Sequence, residues 1–205
     1  MKRILLLGGA GFIGYHLGHH LVERGDCQVT LVDNFFRSKQ DEELDTLLQS
    51  PSVDIVEGDL TEQSTFGQLD DEYDHVYALA AVVGVGYTED MPEGVWRINT
   101  AITLNTFEWL RESSVSRVLF ASTSETYAGT VEEFGAEIPT PEDVPLSITD
   151  ITQPRFTYAV SKMLGEAGIA HYAEAYDFEQ ITVRFHNVYG PRMGFKHVIP
   201  QVAQR

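Results

Sequence analysis

A glycine-rich motif near the N-terminus constrains the fold of this chain more than any other feature. The motif GGAGFIG (8–14) follows the apolar run ILLLG (4–8), and Ile13, Leu17 and Leu21 then recur at helical spacing. Glycine permits a tight turn because it lacks a Cβ atom. The order of these segments therefore predicts a strand, a turn and a helix, which is the opening unit of a doubly wound α/β fold.

Strand and helix patterns continue to alternate along the rest of the chain. Further apolar runs lie at 29–33, 53–58, 75–81, 118–123 and 181–188. Several are apolar nearly throughout, as expected for strands that helices cover on both faces. Helical spacing over 95–112 and 157–176 predicts two of the intervening helices. We therefore predict an α/β fold with a Rossmann-type doubly wound parallel sheet over residues 1–190.

Two segments do not fit this alternation. Residues 129–156 have no clear period and are rich in Glu, Pro and Thr, so we predict a long loop there. Residues 191–205 begin a new segment in which Val198, Ile199 and Val202 are spaced like the first turns of a helix. We expect 191–205 to be the beginning of a second, truncated C-terminal lobe.

Composition excludes several classes of protein. Asp and Glu outnumber Lys and Arg by 31 to 14, and a net charge of −17 opposes binding to nucleic acid. No apolar run reaches the length of a bilayer span, so we expect no membrane insertion. The single cysteine, Cys27, cannot form an internal disulfide and fits a reducing compartment. We predict a cytoplasmic protein.

The glycine motif also predicts a ligand. Gly9, Gly11 and Gly14 have GxGxxG spacing, and the N-terminus of the following helix offers free N–H groups to a pyrophosphate. Asp33 ends the second strand about 20 residues further on, where a carboxylate can accept both ribose hydroxyls of an adenosine. That carboxylate repels a 2′-phosphate and favours NAD over NADP. The nearby Arg37 keeps the alternative of a 2′-phosphate open. A separate alternative is an ordinary turn with a capping Asp and no dinucleotide.

The motif YAVSK places Tyr158 and Lys162 four residues apart on a predicted helix, where they share a face. A free tyrosine has a pKa near ~10 and is a poor base at neutral pH. A neighbouring ammonium group and a positively charged nicotinamide ring would both favour its phenolate. The alternative is a solvated helix face. Downstream of a nucleotide-binding unit, the pair predicts proton transfer.

Polar side chains crowd the end of the fifth predicted strand, in FASTSETYAG (120–129). The carboxyl ends of parallel strands are where ligands bind in open α/β sheets. Thr123 and Ser124 can hydrogen-bond a sugar hydroxyl, and Glu125 can move a proton. We predict that this stretch belongs to an active site.

Histidines on the first helix raise the question of a metal site. His16 and His20 are one turn apart, but no nearby cysteine or acid completes a set of ligands. We predict no metal.

Together these motifs resemble the extended short-chain dehydrogenase/reductases, and among them the NAD-dependent epimerase/dehydratase family that acts on nucleotide sugars. The similar segments run in family order over nearly the whole chain. They are GGAGFIG (8–14), VDNFF (32–36), GDL (58–60), LAA (79–81), STSETY (122–127), PRFTYAVSK (154–162) and RFHNVYGPRM (184–193).

The resemblance implies that NAD is the cofactor and assigns the residues around it. It implies that the dinucleotide is held by Gly8, Gly11, Phe12, Ile13, Asp33 and Asn34, that Asp59 and Leu60 flank the adenine, that Leu79, Ala80 and Ala81 line the cleft, and that Tyr158 and Lys162 lie at the nicotinamide end. Asn99 resembles a residue that steadies the middle of the sheet.

The resemblance also implies a chemical role for the polar residues. Tyr158 would take the proton from the sugar 4-hydroxyl as hydride passes to NAD, and Lys162 would bind the nicotinamide ribose and lower the Tyr158 pKa. Thr123 would hydrogen-bond the same hydroxyl, Ser124 would also contact the sugar, and Asn187 and Arg192 would approach the substrate diphosphate.

The residue at position 125 narrows the reaction. Simple 4-epimerases often carry a small or hydroxyl residue there, whereas Thr-Ser-Glu resembles the UDP-glucuronate decarboxylases and the GDP-mannose 4,6-dehydratases. A second step at C5 is therefore favoured. The sequence departs from the family pattern at Thr126 and Ala128, and 82–94 matches none of these subfamilies. A 4-epimerase, a non-catalytic NAD-binding regulator and a simple carbonyl reductase remain as alternatives.

The resemblance also implies a partner. Members of the group form homodimers through a four-helix bundle, which here would use the helices over 95–112 and 157–176. Periodicity alone leaves open whether the apolar faces of these helices are core or dimer interface.

Overall fold

The computed structural model describes residues 1–194 and 202–203. One six-stranded sheet is formed by Lys2–Leu7 (β1), Cys27–Asp33 (β2), Val53–Glu57 (β3), Glu72–Ala78 (β4), Ser114–Thr123 (β5) and Glu179–Phe185 (β6). The α-helices are Phe12–Arg24 (α1), Glu42–Leu48 (α2), Gln63–Phe66 (α3), Val85–Asp90 (α4), Pro92–Glu112 (α5), Ala128–Phe134 (α6) and Thr157–Tyr176 (α7), and short 3-10 helices lie at Ser124–Tyr127 and Pro154–Phe156.

The strand order confirms the predicted doubly wound fold. The order is β3-β2-β1-β4-β5-β6, and every neighbouring pair is parallel. Leu7 at the end of β1 is paired with Val32 of β2 on one side and Ala78 of β4 on the other. Strands β2 and β3 therefore lie on one side of β1, and strands β4 to β6 lie on the other. The boundary between β1 and β4 is a topological switch point, where ligands of open α/β sheets bind.

The sheet has an apolar layer on each face, and β1 shows why its sequence is apolar throughout. Leu5 and Leu7 pack into a cluster with residues of α5 and α7, including Phe107. Ile4 and Leu6 point the other way and pack into a second cluster with residues of α1 and α2. Because consecutive strand residues face opposite sides, a central strand covered on both faces needs no polar positions.

Glycines bring α7 unusually close to the sheet and to α5. A Cβ atom at Gly165 would lie 2.1 Å from Cζ of Phe120 in β5, and one at Gly168 would lie 2.3 Å from Cε2 of Phe107 in α5. Any larger side chain would push the helix outward. The helix that carries Tyr158 and Lys162 is therefore held directly against the strand that ends at Thr123.

The prediction of a long loop over 129–156 is wrong for the first residues of this segment, which belong to α6. This helix has only seven residues and depends on contacts with the following chain: the Gly129 N–H donates to the Ser147 carbonyl at 2.8 Å, and the Thr130 hydroxyl donates to the Pro145 carbonyl. Helices this short are marginal without tertiary contacts. They are also too short to show a clear helical period in the sequence.

The predicted boundary at residue 190 remains a prediction. Val198 and Ile199, which motivated it, lie outside the described residues, while Val202 and Ala203 are described and are helical. Among the residues that the structure describes, no helix combines the length and the apolar character that crossing a bilayer requires.

Candidate active site

The glycine motif forms a tight turn between β1 and α1. The N–H groups of Gly8 and Gly9 both donate to the Val32 carbonyl, at 2.8 and 3.1 Å, which ties the turn to β2. Gly8 has a φ of +84°, and a Cβ atom there would lie 2.8 Å from backbone atoms of Ala80. A Cβ atom at Gly14 would lie 2.4 Å from the Gly8 carbonyl oxygen. Only glycine fits at these positions, and the resulting cradle has the shape that lets a diphosphate approach the backbone.

Helix α1 begins directly after this turn. Its N-cap residue is Gly11, which has no side chain to satisfy the first N–H groups of the helix. Phe12 and Ile13 follow and are half-buried. The helix N-terminus can therefore bind an anionic group, as the sequence predicts.

Asp33 is fixed beside the cradle by three hydrogen bonds. Its carboxylate accepts the Ala10 N–H at 3.1 Å, the Phe35 N–H at 3.0 Å and the Ser38 hydroxyl at 2.7 Å. The side chain ends β2 and is only 9% exposed. A carboxylate held in this way is oriented before any ligand arrives, which suits a role as acceptor for ribose hydroxyls.

Asn34 and Asp59 meet at the same end of the cleft. The Asn34 amide donates to Asp59 at 3.3 Å, and the Thr61 N–H and hydroxyl both donate to the other Asp59 oxygen at 2.8 Å. Partial burial raises the pKa of Asp59, but these hydrogen bonds lower it by more, so the net effect is a lowered pKa. Leu60 is buried in the core, so it contributes packing under this end of the cleft.

Asn99 holds the opposite wall of the cleft. Its side-chain amide accepts the Val82 N–H at 2.8 Å and donates to the Val82 carbonyl at 2.9 Å, and it is 3% exposed. The segment Leu79–Ala81 just before Val82 is half-buried, and the Leu79 N–H donates to Leu7 at the end of β1. Asn99 thus fixes the backbone that follows β4, in line with the role that its resemblance implies.

Arg37 extends across the cleft. Its Nη1 is 3.5 Å from the Ala81 carbonyl oxygen, and its guanidinium carbon is 6.0 Å from the centroid of the Tyr87 ring. Asp33 makes no hydrogen bond to it among the described contacts. The sequence did not predict this orientation, because the direction of a long side chain depends on the loop that carries it.

Tyr158 and Lys162 share a buried face of α7. Tyr158 is 9% exposed and Lys162 is 4% exposed, and the ammonium nitrogen is 5.9 Å from the centroid of the phenol ring. It is also 5.0 Å from the Phe120 ring. These positions contradict the alternative of a solvated helix face. A cavity with room for about one water molecule lies beside Lys162 and is lined also by Leu7, Ala78, Ala80, Ile102, Thr103, Thr106, Phe107 and Phe120.

Burial dominates the ionisation of both groups. It raises the pKa of Tyr158, the charge of Glu125 raises it further, and the charge of Arg37 opposes these effects. Burial lowers the pKa of Lys162 to about 8. We expected Lys162 to lower the Tyr158 pKa. In the protein without a ligand, burial instead raises this pKa by more than nearby positive charge lowers it. The reason is that the phenol packs against Val82 and Val95 in an apolar cluster.

The end of β5 presents Thr123, Ser124 and Glu125 at the same edge. Thr123 is 7% exposed, and its hydroxyl oxygen accepts the Glu125 N–H at 3.2 Å. The hydroxyl proton of Thr123 is therefore available to a ligand. Desolvation raises the pKa of Glu125, and the charge of Arg155 lowers it. Arg155 lies in PRFTYAVSK, three residues before Tyr158, and this spacing could have identified it from the sequence.

Asn187 and Arg192 lie on the segment after β6. Asn187 is exposed. Arg192 is directed towards α1 and α2: its Nη1 donates to Asp41 at 2.7 and 2.9 Å and to Glu43 at 2.7 Å, and its guanidinium carbon lies 3.9 Å from the Tyr15 ring centroid. The structure does not bring Arg192 into contact with the residues around Tyr158. Its role towards a diphosphate remains a prediction.

Within the described part of the chain, no group of three or more His, Cys, Asp or Glu side chains converges on a possible metal site. His16 instead lies with its Nε2 at 3.0 Å from the Pro191 carbonyl oxygen.

Comparison with known proteins gives one family and many relatives. Residues 4–205 match the model of the family described as NAD dependent epimerase/dehydratase. A UDP-N-acetyl-alpha-D-glucosaminuronate decarboxylase from Bacillus cytotoxicus is 34% identical over 193 residues, which cover 93% of this chain and 56% of that protein. UDP-glucuronate 4-epimerase 1 from Arabidopsis thaliana is 31% identical over 194 residues, 92% of this chain and 43% of that protein. The chain spans about half the length of the curated relatives it matches.

Solved structures agree with the fold. A crystal structure of UDP-galactose 4-epimerase superposes with a TM-score of 0.81 at 32% identity, over 98% of this chain and 61% of that one. An NAD-dependent NDP-hexosamine 5,6-dehydratase involved in tunicamycin biosynthesis superposes with a TM-score of 0.77 at 27% identity, over 98% of this chain and 60% of that one.

Proposed function

The chain belongs to the NAD dependent epimerase/dehydratase family, and from this premise we propose that it acts on a nucleotide-diphosphate sugar through a transient 4-keto intermediate. A second step at C5, decarboxylation or dehydration, then follows. The family match confirms the resemblance that the sequence motifs indicate, and it confirms NAD as the cofactor.

One observation supports this proposal above the others. The phenol of Tyr158, the ammonium group of Lys162, the hydroxyl of Thr123 and the carboxyl group of Glu125 lie at one edge of the sheet, beside the glycine cradle. Tyr158 and Glu125 are close enough for the charge of one to change the pKa of the other. A simple nucleotide-binding protein has no need of such a set.

The residues of the cradle fit NAD. The turn at Gly8 and Gly14 leaves room for a diphosphate, and the oriented Asp33 carboxylate fits an adenosine ribose without a 2′-phosphate. NAD, when bound, accepts hydride from the sugar and can return it. Lys162 would hold the nicotinamide ribose in the same site.

Tyr158 acts as the base for the sugar 4-hydroxyl in this proposal. Burial keeps its phenol protonated, so positive charge must favour the phenolate when the reaction begins. Arg37 and Lys162 are the nearby protein cations, and the positively charged nicotinamide ring adds to them. The Thr123 hydroxyl can hydrogen-bond the same substrate oxygen, which orients it towards Tyr158.

Glu125 is the proposed acid and base at C5. Desolvation raises its pKa and so allows its carboxyl group both to take and to give a proton. The decarboxylase among the relatives supports a step beyond C4 oxidation. The alternative is a nucleotide-sugar 4-epimerase, which the UDP-glucuronate 4-epimerase relative supports. A 4-epimerase has no proton transfer at C5, so in that case Glu125 would not act as an acid or a base.

A substrate panel tests the proposal. The intact protein is incubated with NAD and UDP-, GDP-, CDP- and dTDP-sugars, and products are identified by mass. Loss of carbon dioxide or of water indicates the C5 step, and an unchanged mass with altered chromatography indicates epimerisation. Binding of NAD without turnover of any sugar would favour the regulator alternative, and stoichiometric oxidation of NADH by a simple ketone would favour a carbonyl reductase.

Two variants then separate the steps. Tyr158→Phe should lower turnover by about 10²- to 10⁴-fold while NAD still binds, because it removes the general base. Glu125→Gln should still reduce NAD but stall at the 4-keto sugar. Normal turnover by the Tyr158 variant contradicts the mechanism, and normal product formation by the Glu125 variant favours the 4-epimerase.

We further propose that the protein works as a cytoplasmic homodimer. Helices α5 and α7 pack against each other and expose large apolar side chains. These are Trp96, Leu104, Leu164 and Tyr176, which are 47%, 49%, 39% and 43% exposed. A second copy of the same helix pair would cover them.

A further inference from the structure

A polar network lies directly behind the candidate active site. Arg184 of β6 donates its Nε to both carboxylate oxygens of Glu166, at 3.0 and 3.1 Å, and its Nη2 to one of them at 2.7 Å. The two side chains are 21% and 9% exposed, so the pair is largely buried. Glu166 lies on α7 one turn beyond Lys162. The proposed mechanism uses neither Arg184 nor Glu166.

The network reaches the end of β5 through Ser122. The Ser122 hydroxyl donates to Glu166, and Ser122 immediately precedes Thr123. The remaining guanidinium nitrogen, Nη1, donates to the Tyr127 hydroxyl at 2.7 Å and to the Glu142 carbonyl at 3.1 Å. Tyr127 ends the 3-10 helix that carries Glu125.

The Arg184 guanidinium therefore contacts three parts of the chain: the 3-10 helix after β5, α7 and the loop after α6. Through Glu166, which accepts the Ser122 hydroxyl, it also reaches the end of β5. The rigid fork of an arginine can bind several acceptors at fixed angles, which a lysine cannot do. Because a largely buried ion pair adds little net stability, its main effect here is geometric.

We propose that Arg184 and Glu166 are positioning residues that hold Thr123 and Glu125 at a fixed distance from Tyr158 and Lys162. The inference rests on the proposed function, since it concerns the geometry of proton transfer. Thr123 and Tyr158 come from different elements, and the network is a direct polar link between those elements. A misplacement of about 1 Å can lower a rate by about 100-fold, so loosening the network should affect chemistry more than binding.

Two variants cut the network at different points. Glu166→Gln removes the charge that Arg184 pairs with and keeps the shape of the side chain. Ser122→Ala is the milder change, because it releases the end of β5 and leaves the ion pair in place. The matched control is Glu179→Gln: Glu179 pairs with Arg117 across the same two strands, β5 and β6, at their opposite end.

Kinetics and amide hydrogen exchange are measured for each variant of the intact protein. For Glu166→Gln and Ser122→Ala, kcat should fall by about 10- to 100-fold, as for outer residues that orient catalytic groups, with KM and NAD affinity within about threefold. With NAD bound, amide hydrogen exchange over 122–127 should be faster in these two variants than in the wild-type protein. Glu179→Gln should change none of these quantities by more than about twofold.

The proposal is overturned by normal kcat in both variants, by an equal loss of kcat and NAD affinity, or by unchanged exchange over 122–127. Failure of the proposed function is distinct from these results. If the wild-type protein turns over no nucleotide sugar, the exchange measurement still decides whether the network holds Thr123 and Glu125.

Discussion

Tyr158, Glu125 and Lys162 lie where their neutral forms are favoured. Desolvation raises the pKa values of the first two and lowers that of Lys162 to about 8. The directions are opposite because burial favours the neutral form of an acid and of an amine alike, and groups with perturbed pKa values cluster at functional sites. Stability is therefore lost locally at the residues that we propose for catalysis.

Replacing Lys162 should reveal that loss. Its pKa is 10.5 in the unfolded chain and about 8 in the folded one, so at pH 7 burial of the ammonium costs about 3 kcal/mol. Between these two values the unfolded chain binds the proton that the folded chain has lost, so stability rises with pH. Lys162→Met should therefore raise the free energy of unfolding at pH 7, and the gain should shrink towards pH 10.

Urea unfolding without added NAD measures this difference. Lys39→Met is the control, because Lys39 is exposed and its loss should change stability little at either pH. An equal gain for Lys162→Met at pH 7 and pH 10 would show that packing, not charge, is responsible.

Sequence predicted the residues of the glycine turn better than it predicted the contacts of long side chains. Gly8, Gly14 and Asp33 follow from their spacing, because turn geometry permits few residue types. The direction of Arg37 and the pairing of Arg192 with Asp41 did not follow, since both depend on loops whose paths no local pattern fixes.

At the level of elements, β1 and α1 can be joined by the glycine turn only because the backbone of α1 lies very close to the backbone of the turn. Gly14 faces the Gly8 carbonyl oxygen, whereas Gly18 is one turn further along α1 and has ordinary space around it. A Cβ atom at Gly18 would lie 3.6 Å from side-chain atoms of Leu6, Leu31 and Leu47. The same helix therefore contains one glycine that the turn requires and one that it does not.

Alanine substitutions at these two glycines should have opposite effects. Gly14→Ala should destabilise the fold by about 1–3 kcal/mol through overpacking, and should weaken NAD binding because the cradle is displaced. Gly18→Ala should stabilise it by about 0.5–1 kcal/mol, since alanine is the better helix residue. Thermal unfolding and NAD titration of both variants test this, and a stable Gly14 variant with normal NAD affinity would contradict it.

The elements themselves differed in how well sequence predicted them. All six strands were predicted to within a few residues, because apolar runs covered on both faces give a strong signal. The short helices α2, α3, α4 and α6 were not predicted. Each is seven residues or fewer, too short for a clear period.

For the whole molecule, the proposed dimer makes a simple prediction. Leu104→Glu should place a charge in the interface formed by α5 and α7 and give a monomer at concentrations where the wild-type protein is a dimer. Light scattering after size-exclusion chromatography measures the mass. Ile138→Glu is the control, because Ile138 is 82% exposed in the loop after α6. A monomeric wild-type protein, or a dimeric Leu104 variant, would contradict the proposed interface.

The position of β6 at the edge of the sheet has a consequence for synthesis of the protein. Strands β1 to β4 are contiguous in the sheet and their residues are complete by Ala78, but Leu5 and Leu7 of β1 pack with residues of α5 and α7, which are synthesised later. Arg184 follows roughly 100 residues later, which takes roughly 5 to 20 s at the usual rate of translation. The residues of the cofactor cradle are therefore synthesised well before Arg184. The network that we propose to position Thr123 and Glu125 can form only after β6 has joined the sheet.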